Sequence, residues 1–287
     1  MLLTKIAESF KLMKFNNALD IAINLYTTIG RHFDLYKIFG HDIPLQTGGS
    51  VYEIDYNNTK IKFDKMDFGK ESVIYTLYKS NDVSTRPECI IVMVNKKEKV
   101  SAIHNLSYDD KCFTSNNKKY IATNGSSLLK IALKLIDDIK DHYQLISVEL
   151  IDNAKKKCEN KKNIELWAIY MLTHGDTWYG KYGFVPKDDD KKILYQKNKK
   201  KMKKLLVTDT DIMDILKIYS KKTGYDGIYN NIDNMIKEYK NDKVTTLFMS
   251  LLMNYDNTCE LFYYMYYSVM KNIGLYNLFN ISYIKRL

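Results

Sequence analysis

Two stretches of this chain combine residue types and spacings that suit chemistry. The first is Asn124-Gly125-Ser126-Ser127, set directly before the run LLKIALKLIDDIKDHY. If that run is a helix, the unpaired backbone N–H groups of its first turn and its positive end make a seat for a pyrophosphate. Ser126 or Ser127 suits its cap. The second stretch is His174-Gly175-Asp176-Thr177-Trp178-Tyr179-Gly180-Lys181-Tyr182-Gly183-Phe184-Val185-Pro186. It holds one of the two Trp, three of the 12 Gly and one of the three Pro. That concentration marks a fixed, packed turn rather than a solvated loop. Metal and disulfide chemistry have no such signal. Cys89, Cys112, Cys158 and Cys259 are scattered with no C-x-x-C pair, and the five His stand apart from Cys and acidic clusters. This pattern argues against a zinc site or a disulfide framework and fits a reducing, intracellular setting in the cytoplasm.

The elements that must position these stretches can be read from periodicity. Residues 2–39 read as helical, with Gly30 and Gly40 at helix ends, and Pro44, Gly48 and Gly49 place a boundary near residue 50. The period then shifts toward two. Strands are expected at 51–56 and 59–63 around an Asn57-Asn58 hairpin turn, then at 71–79, 88–95, 99–106 and 111–115, as an antiparallel meander. The helix at 128–143 is apolar over a broad arc, as a buried helix should be, and 145–151 (LISVELI) is a buried strand. Strand, glycine loop, helix, strand is the local unit of a mixed α/β sheet. A short helix at 162–173 leads into the aromatic turn, and a strand is expected at 193–196. From about 205 the chain reads as an all-helical tail: 211–222, 242–253, and 259–273 opened by a capping box at Asn257 and Glu260 and closed by Gly274.

Composition sets the outer limits. At 287 residues with 45% apolar content, the chain can bury a substantial core. Lys5, Glu8 and Lys11 interrupt the N-terminal apolar residues before a secretory h-region forms, and the tracts at 246–253 and 261–270 are too short for a membrane span. The net charge of +10 is local. Residues 191–204 hold eight Lys and no acid, residues 153–163 hold five Lys against Glu159, and the remainder sums to about −2. Arg is confined to Arg31, Arg86 and Arg286, so a dedicated nucleic-acid reader is not indicated. The lysine run reads as a solvated linker, with contact to cofactor phosphates, an acidic partner or nucleic acid as its functional alternatives.

The ordered set of loop, strand and aromatic turn resembles the GNAT superfamily of N-acetyltransferases. Members seat the acyl-CoA pyrophosphate on a [RQ]-x-x-G-x-[GA] loop that opens a helix, and carry Y-x-x-x-G-F soon after the next strand. Tyr179-Gly180-Lys181-Tyr182-Gly183-Phe184 matches the second element. Aligning Gly125 with the central glycine puts Ala122 where Arg or Gln is usual and Ser127 where Gly or Ala is usual. The resemblance covers roughly residues 51–200. It implies an α+β fold with a mixed, mostly antiparallel sheet flanked by helices. The expected organisation is a helical segment at 1–50, the acyltransferase core at 51–203 and a helical bundle at 204–287. It further implies acetyl-CoA as cosubstrate, an amine acceptor, and direct transfer within a splayed strand pair taken as 109–116 and 145–151. Tyr179 would donate a proton to the leaving thiolate, Asn124, Gly125, Ser126 and Ser127 would hold the cofactor, and Asn153 would bond pantetheine. Asp110, His104 and Glu149 are the base candidates by strand location. The Lys-, Asn- and Tyr-rich composition is similar to that of proteins encoded by giant DNA viruses. A second expectation keeps the fold and discards the activity: a structural or virion protein whose helical C-terminal region docks protein partners.

Overall fold

In the computed structural model the chain divides into two compact units, Met1–Gly48 and Gly49–Leu287. The described residues are 49–78, 88–106, 125–158, 162–223, 234–235, 237–254 and 258–287, all in the second unit. The N-terminal helices expected at 2–39, the strand pieces at 109–116 and the capping Asn257 lie outside them.

Strands β1 (Ser50–Tyr56) and β2 (Thr59–Asp67) form the expected hairpin. Asn57 and Asn58 take φ of 49° and 59°, the left-handed pair that a two-residue turn needs to match strand twist. β3 (Ser72–Tyr78), β4 (Glu88–Asn95) and β5 (Val100–Leu106) extend the antiparallel meander. Helix α1 (Gly125–Tyr143) then leads to β6 (Ser147–Ile151), which pairs parallel to β5, a connection that requires a crossover of this length. Leu128, Leu129, Ile131, Ala132, Leu135, Ile136 and Ile139 face the sheet. Burying them contributes on the order of 10 kcal/mol before entropy is counted.

A two-stranded ribbon comes next, β7 (Lys155–Lys157) with β8 (Asn163–Glu165). Cys158, just past β7, is disulfide-bonded to Cys259, with the Cα atoms 5.6 Å apart. Cys89 is disulfide-bonded as well. The expectation of unpaired cysteines is therefore corrected. A bridge across 101 residues leaves no short-range spacing in the sequence, because it depends on where the tertiary fold brings the two segments together.

Beyond the ribbon lie α2 (Leu166–His174), the two-residue β9 (Val185–Pro186) and α3 (Asp189–Met202). The lysine run is helix α3, neither a strand at 193–196 nor a solvated linker. Asp188 caps it by accepting from the Lys191 amide at 3.0 Å. Tyr195, Asn198 and Met202, at i, i+3 and i+7, form the stripe that anchors it. Helices α4 (Ile212–Thr223), α5 (Val244–Asn254) and α6 (Thr258–Asn272) follow, and Gly274 closes the last at φ 60°.

The tail is not all helical. Its last residues form β10 (Ser282–Arg286), which runs antiparallel to β6 on one side and β9 on the other. The eight-stranded sheet thus has the order β1-β2-β3-β4-β5-β6-β10-β9. SYIKR buries only Tyr283 fully and is largely cationic or polar, so it lacks the alternation that marks a strand. The molecule is α+β, with a mostly antiparallel sheet and helices against it. One core lies between the sheet and α1. A second joins α2 and α3 to α4, α5 and α6 through residues such as Trp167, Met202, Phe248 and Phe262. The helices at 166–202, expected with the sheet, thus share the core of the helical tail. Among the described residues no helix is long and apolar enough to cross a membrane.

Candidate functional site

The aromatic turn is held from both ends. Gly175 ends α2 in the left-handed region at φ 68°, and its N–H reaches the Met171 carbonyl. Asp176 then organises the turn. Its Oδ1 accepts from the Thr177 amide at 2.8 Å and from the Tyr195 hydroxyl at 2.5 Å, while Oδ2 takes the Lys199 ammonium at 2.5 Å. Gly180 passes so close to this network that a Cβ there would collide with Asp176 Oδ1 and sit 2.5 Å from the Tyr195 hydroxyl. Residues Gly180–Tyr182 make a single 3-10 turn, and Gly183, at φ 86°, reverses the chain into β9. Glycine is thus a conformational requirement at Gly183, the glycine of Y-x-x-x-G-F, and a steric one at Gly180, a position that motif leaves open.

The turn meets the start of α1. The Trp178 indole N–H points at Ser126 Oγ at 3.4 Å, and its ring lies 3.8 Å from where a Cβ on Gly125 would be. Gly125, Ser126 and Ser127 are all half-buried in that first turn, which has no acidic side chain to compete for an anion. Asn124 lies outside the described residues. Asn153 is exposed in the turn after β6, with its amide donating to the Ile151 carbonyl at 3.1 Å. The structure therefore brings together the α1 start and the Tyr179 turn, while Asn153 stays on the surface.

Tyr179 is 4% exposed, packed against Trp178, Phe184 and Tyr283 with ring centroids 4.7, 6.2 and 5.9 Å away. Burial, followed by the nearby Asp152 carboxylate, pushes its phenol well above the ordinary tyrosine range. Asp152 and Tyr283 have no exposed surface. Asp152 Oδ1 accepts only a long bond from the Ala154 amide at 3.3 Å, and among the described residues Oδ2 has no hydrogen-bond partner. Burial raises the Asp152 carboxyl to about 7; the Ala154 amide opposes this and Glu165 adds to it. A buried, half-satisfied carboxyl under two phenols is costly to maintain and is the electrostatic centre of the site.

The strands below supply the rest. Ile103 of β5 pairs with Leu150 of β6, and Leu150 pairs with Tyr283 of β10. Beyond Ile103 the β5–β6 ladder ends, and on its other side β5 carries an extra residue, since Ile91 faces Asn105 but Val92 faces Ile103. His104 is that residue, and it is exposed. The ladder stops one residue before β6 itself ends at Ile151, and the 109–116 segment expected to splay from it lies outside the described residues. Of the other base candidates, Glu149 is engaged by Lys187 at 2.7 Å and Asp110 lies outside the described residues.

Sequence reasoning missed Asp152, Asp176, Tyr195, Lys199 and Tyr283. Tyr195 and Lys199 sit at i, i+4 inside a lysine run, where the only signal was the spaced Tyr, Asn and Met. Tyr283 carried no signal at all, because its role depends on β10 entering the sheet. Among the described residues no three His, Cys, Asp or Glu side chains cluster to hold a metal. Compared with known proteins, the chain matches no family model, no curated protein and no solved structure.

Proposed function

We propose that this protein is an acyltransferase of the GNAT type, moving an acetyl group from acetyl-CoA directly to an amine. The observation that carries the reading is the end of the β5–β6 ladder at Ile103 and Leu150, one strand from the Tyr283 ring against which Tyr179 packs. Where a parallel ladder ends, the facing N–H and C=O groups lose ladder partners and become available to a thioester and its pantetheine arm. The half-buried first turn of α1, free of acidic side chains, suits the pyrophosphate. The cofactor loop fits less completely, since Ala122 supplies no long polar side chain and Ser126 Oγ already receives the Trp178 N–H.

In this reading the amine nitrogen bonds to the acyl carbon, the C–S bond breaks with its electron pair on sulfur, and the sulfur takes the Tyr179 proton. The surplus amine proton leaves to His104 or solvent, and the phenolate is reprotonated from the same pool. The chain contributes mainly geometry and a dry phenol. Burial and the Asp152 carboxylate keep Tyr179 protonated, so its O–H is present to hydrogen-bond the departing sulfur, although the raised phenol is a weaker acid than the thiol it forms.

Titration calorimetry with acetyl-CoA tests the reading, followed by turnover with Tyr179→Phe. Acetyl-CoA should bind both forms, and the Phe variant should lose about 10²-fold or more in kcat with little change in binding. Absence of binding at millimolar acetyl-CoA in folded protein sinks the proposal.

A structural or virion role is the second reading, favoured by Ile218, Met253 and Tyr267, which are 62%, 75% and 56% exposed on α4, α5 and α6. It expects a stable assembly by sedimentation that survives Tyr179→Phe.

A further inference from the structure

We propose that the outer face of α3, with Tyr276 beside it, is a binding site for single-stranded nucleic acid, gripped through its phosphates. Lys197, Lys200 and Lys201 fall at i, i+3 and i+4, so the helix sets them in one stripe, and Lys204 continues it at i+7 in the turn just past the helix end. They line an open depression of about 470 Å³ whose one acidic wall residue is Asp209. Asp209 is itself occupied, accepting from the Leu206 amide at 3.2 Å. None of the four lysines has an ion-pair partner among the described residues, in contrast to Lys199, which Asp176 neutralises.

The stripe is rigidly presented. On the buried flank of α3 beside Lys197, Asn198 is 1% exposed and bonds the Tyr276 backbone twice, Nδ2 donating to its carbonyl at 2.8 Å and Oδ1 accepting its amide at 3.0 Å. Tyr276 is thereby fixed next to the stripe with 43% of its surface exposed, and the Lys197 ammonium lies 5.9 Å from its ring centre. Like charges at these spacings weaken a helix, and only an anion relieves all of them at once.

The chemistry selects the ligand. From Lys197 to Lys201 the helix rises about 6 Å, roughly the spacing of two successive phosphates on an extended strand, with Lys204 just past the helix end. Lysine offers point charges without the planar fork that reads bases, so recognition is of the backbone. The depression is open, which suits a chain passing over it. The exposed ring beside a basic track is the pairing by which single strands are held, one base stacking while the phosphates are neutralised. A free polyphosphate would use the lysines and ignore the ring.

The test is fluorescence anisotropy of the full chain with a labelled thymidine 12-mer across a salt series. The triple variant Lys197→Gln, Lys200→Gln, Lys204→Gln should bind more weakly and lower the slope of log K against log salt by about 2. A matched variant removing Lys155, Lys156 and Lys157 of β7 should bind like the parent. Tyr276→Ala should weaken the oligonucleotide about tenfold while leaving binding of inorganic polyphosphate unchanged. Circular dichroism and melting of each variant confirm that the fold is kept. Equal losses in the two triple variants, a flat salt response, or a Tyr276→Ala variant that binds the oligonucleotide like the parent would each overturn the proposal. None of these residues belongs to the Tyr179 turn, so the outcome is independent of acyl transfer.

Discussion

Asp152 is the residue whose environment asks most of the fold. Its carboxyl is held near 7 by burial, against about 3.9 in an unfolded chain. Between those values the native state keeps a proton that the unfolded state releases, so stability falls as pH rises from about 4 to about 7. The slope approaches 1.4 kcal/mol per pH unit at most. Asp152→Asn removes this slope. The variant should gain stability relative to the parent at pH 8 compared with pH 5 in urea unfolding, and parallel pH profiles would refute the assignment. Gly180 poses the opposite problem, one of space. A methyl group there collides with Asp176 and Tyr195, and those groups are tied to each other and to Lys199. Gly180→Ala should cost about 2 kcal/mol or more, measured by denaturant midpoint. Pairing it with Tyr195→Phe should recover part of the loss, because the nearest hydroxyl is gone.

At the level of elements, the β7–β8 ribbon and α6 are joined covalently. The Cys158–Cys259 bridge closes a loop of 101 residues, and chain-entropy reasoning puts its contribution at roughly 2–5 kcal/mol. Cys259→Ser, or reduction under mild conditions, should lower the urea midpoint accordingly, and peptide mapping without reductant should recover the linked pair. An unchanged midpoint on reduction would mean that the ribbon is held by β8 and α6 packing alone. Helix α3 shows how composition misleads locally. Ile193, Leu194 and Tyr195 read as a short strand, yet the capping Asp188 and the Tyr195, Asn198 and Met202 stripe make a helix with one buried edge and lysines elsewhere. The same register that anchors it also aligns the basic stripe.

For the whole molecule, β10 is the element on which both cores converge. It is the strand between β6 and β9, it carries Tyr283 into the sheet core, and the preceding Ile281 packs against both clusters. Among the described residues β9 pairs with β10 alone. Removing residues 282–287 should therefore release the Tyr179 turn and expose the edge of β6. The truncated chain should unfold at a lower temperature and with reduced cooperativity by calorimetry. A truncated chain that melts like the parent would show that the helical core closes the sheet without β10.

The meander, the Asn57-Asn58 hairpin, the buried α1 and β6 were legible in the sequence because each is decided locally, by period, by turn-tolerant residues and by a continuous apolar arc. The turn at Gly175, Gly180 and Gly183 was legible as a packed feature for the same reason, since glycine marks backbone that other residues cannot follow. What tertiary structure alone decided is the company that turn keeps. Asp152, Tyr195 and Tyr283 reach it from 27 residues before Tyr179 to 104 after it, and no local pattern encodes such a meeting. The disulfide and the β10 insertion share that character: each is set by where distant segments bury surface together, which only the packed chain determines.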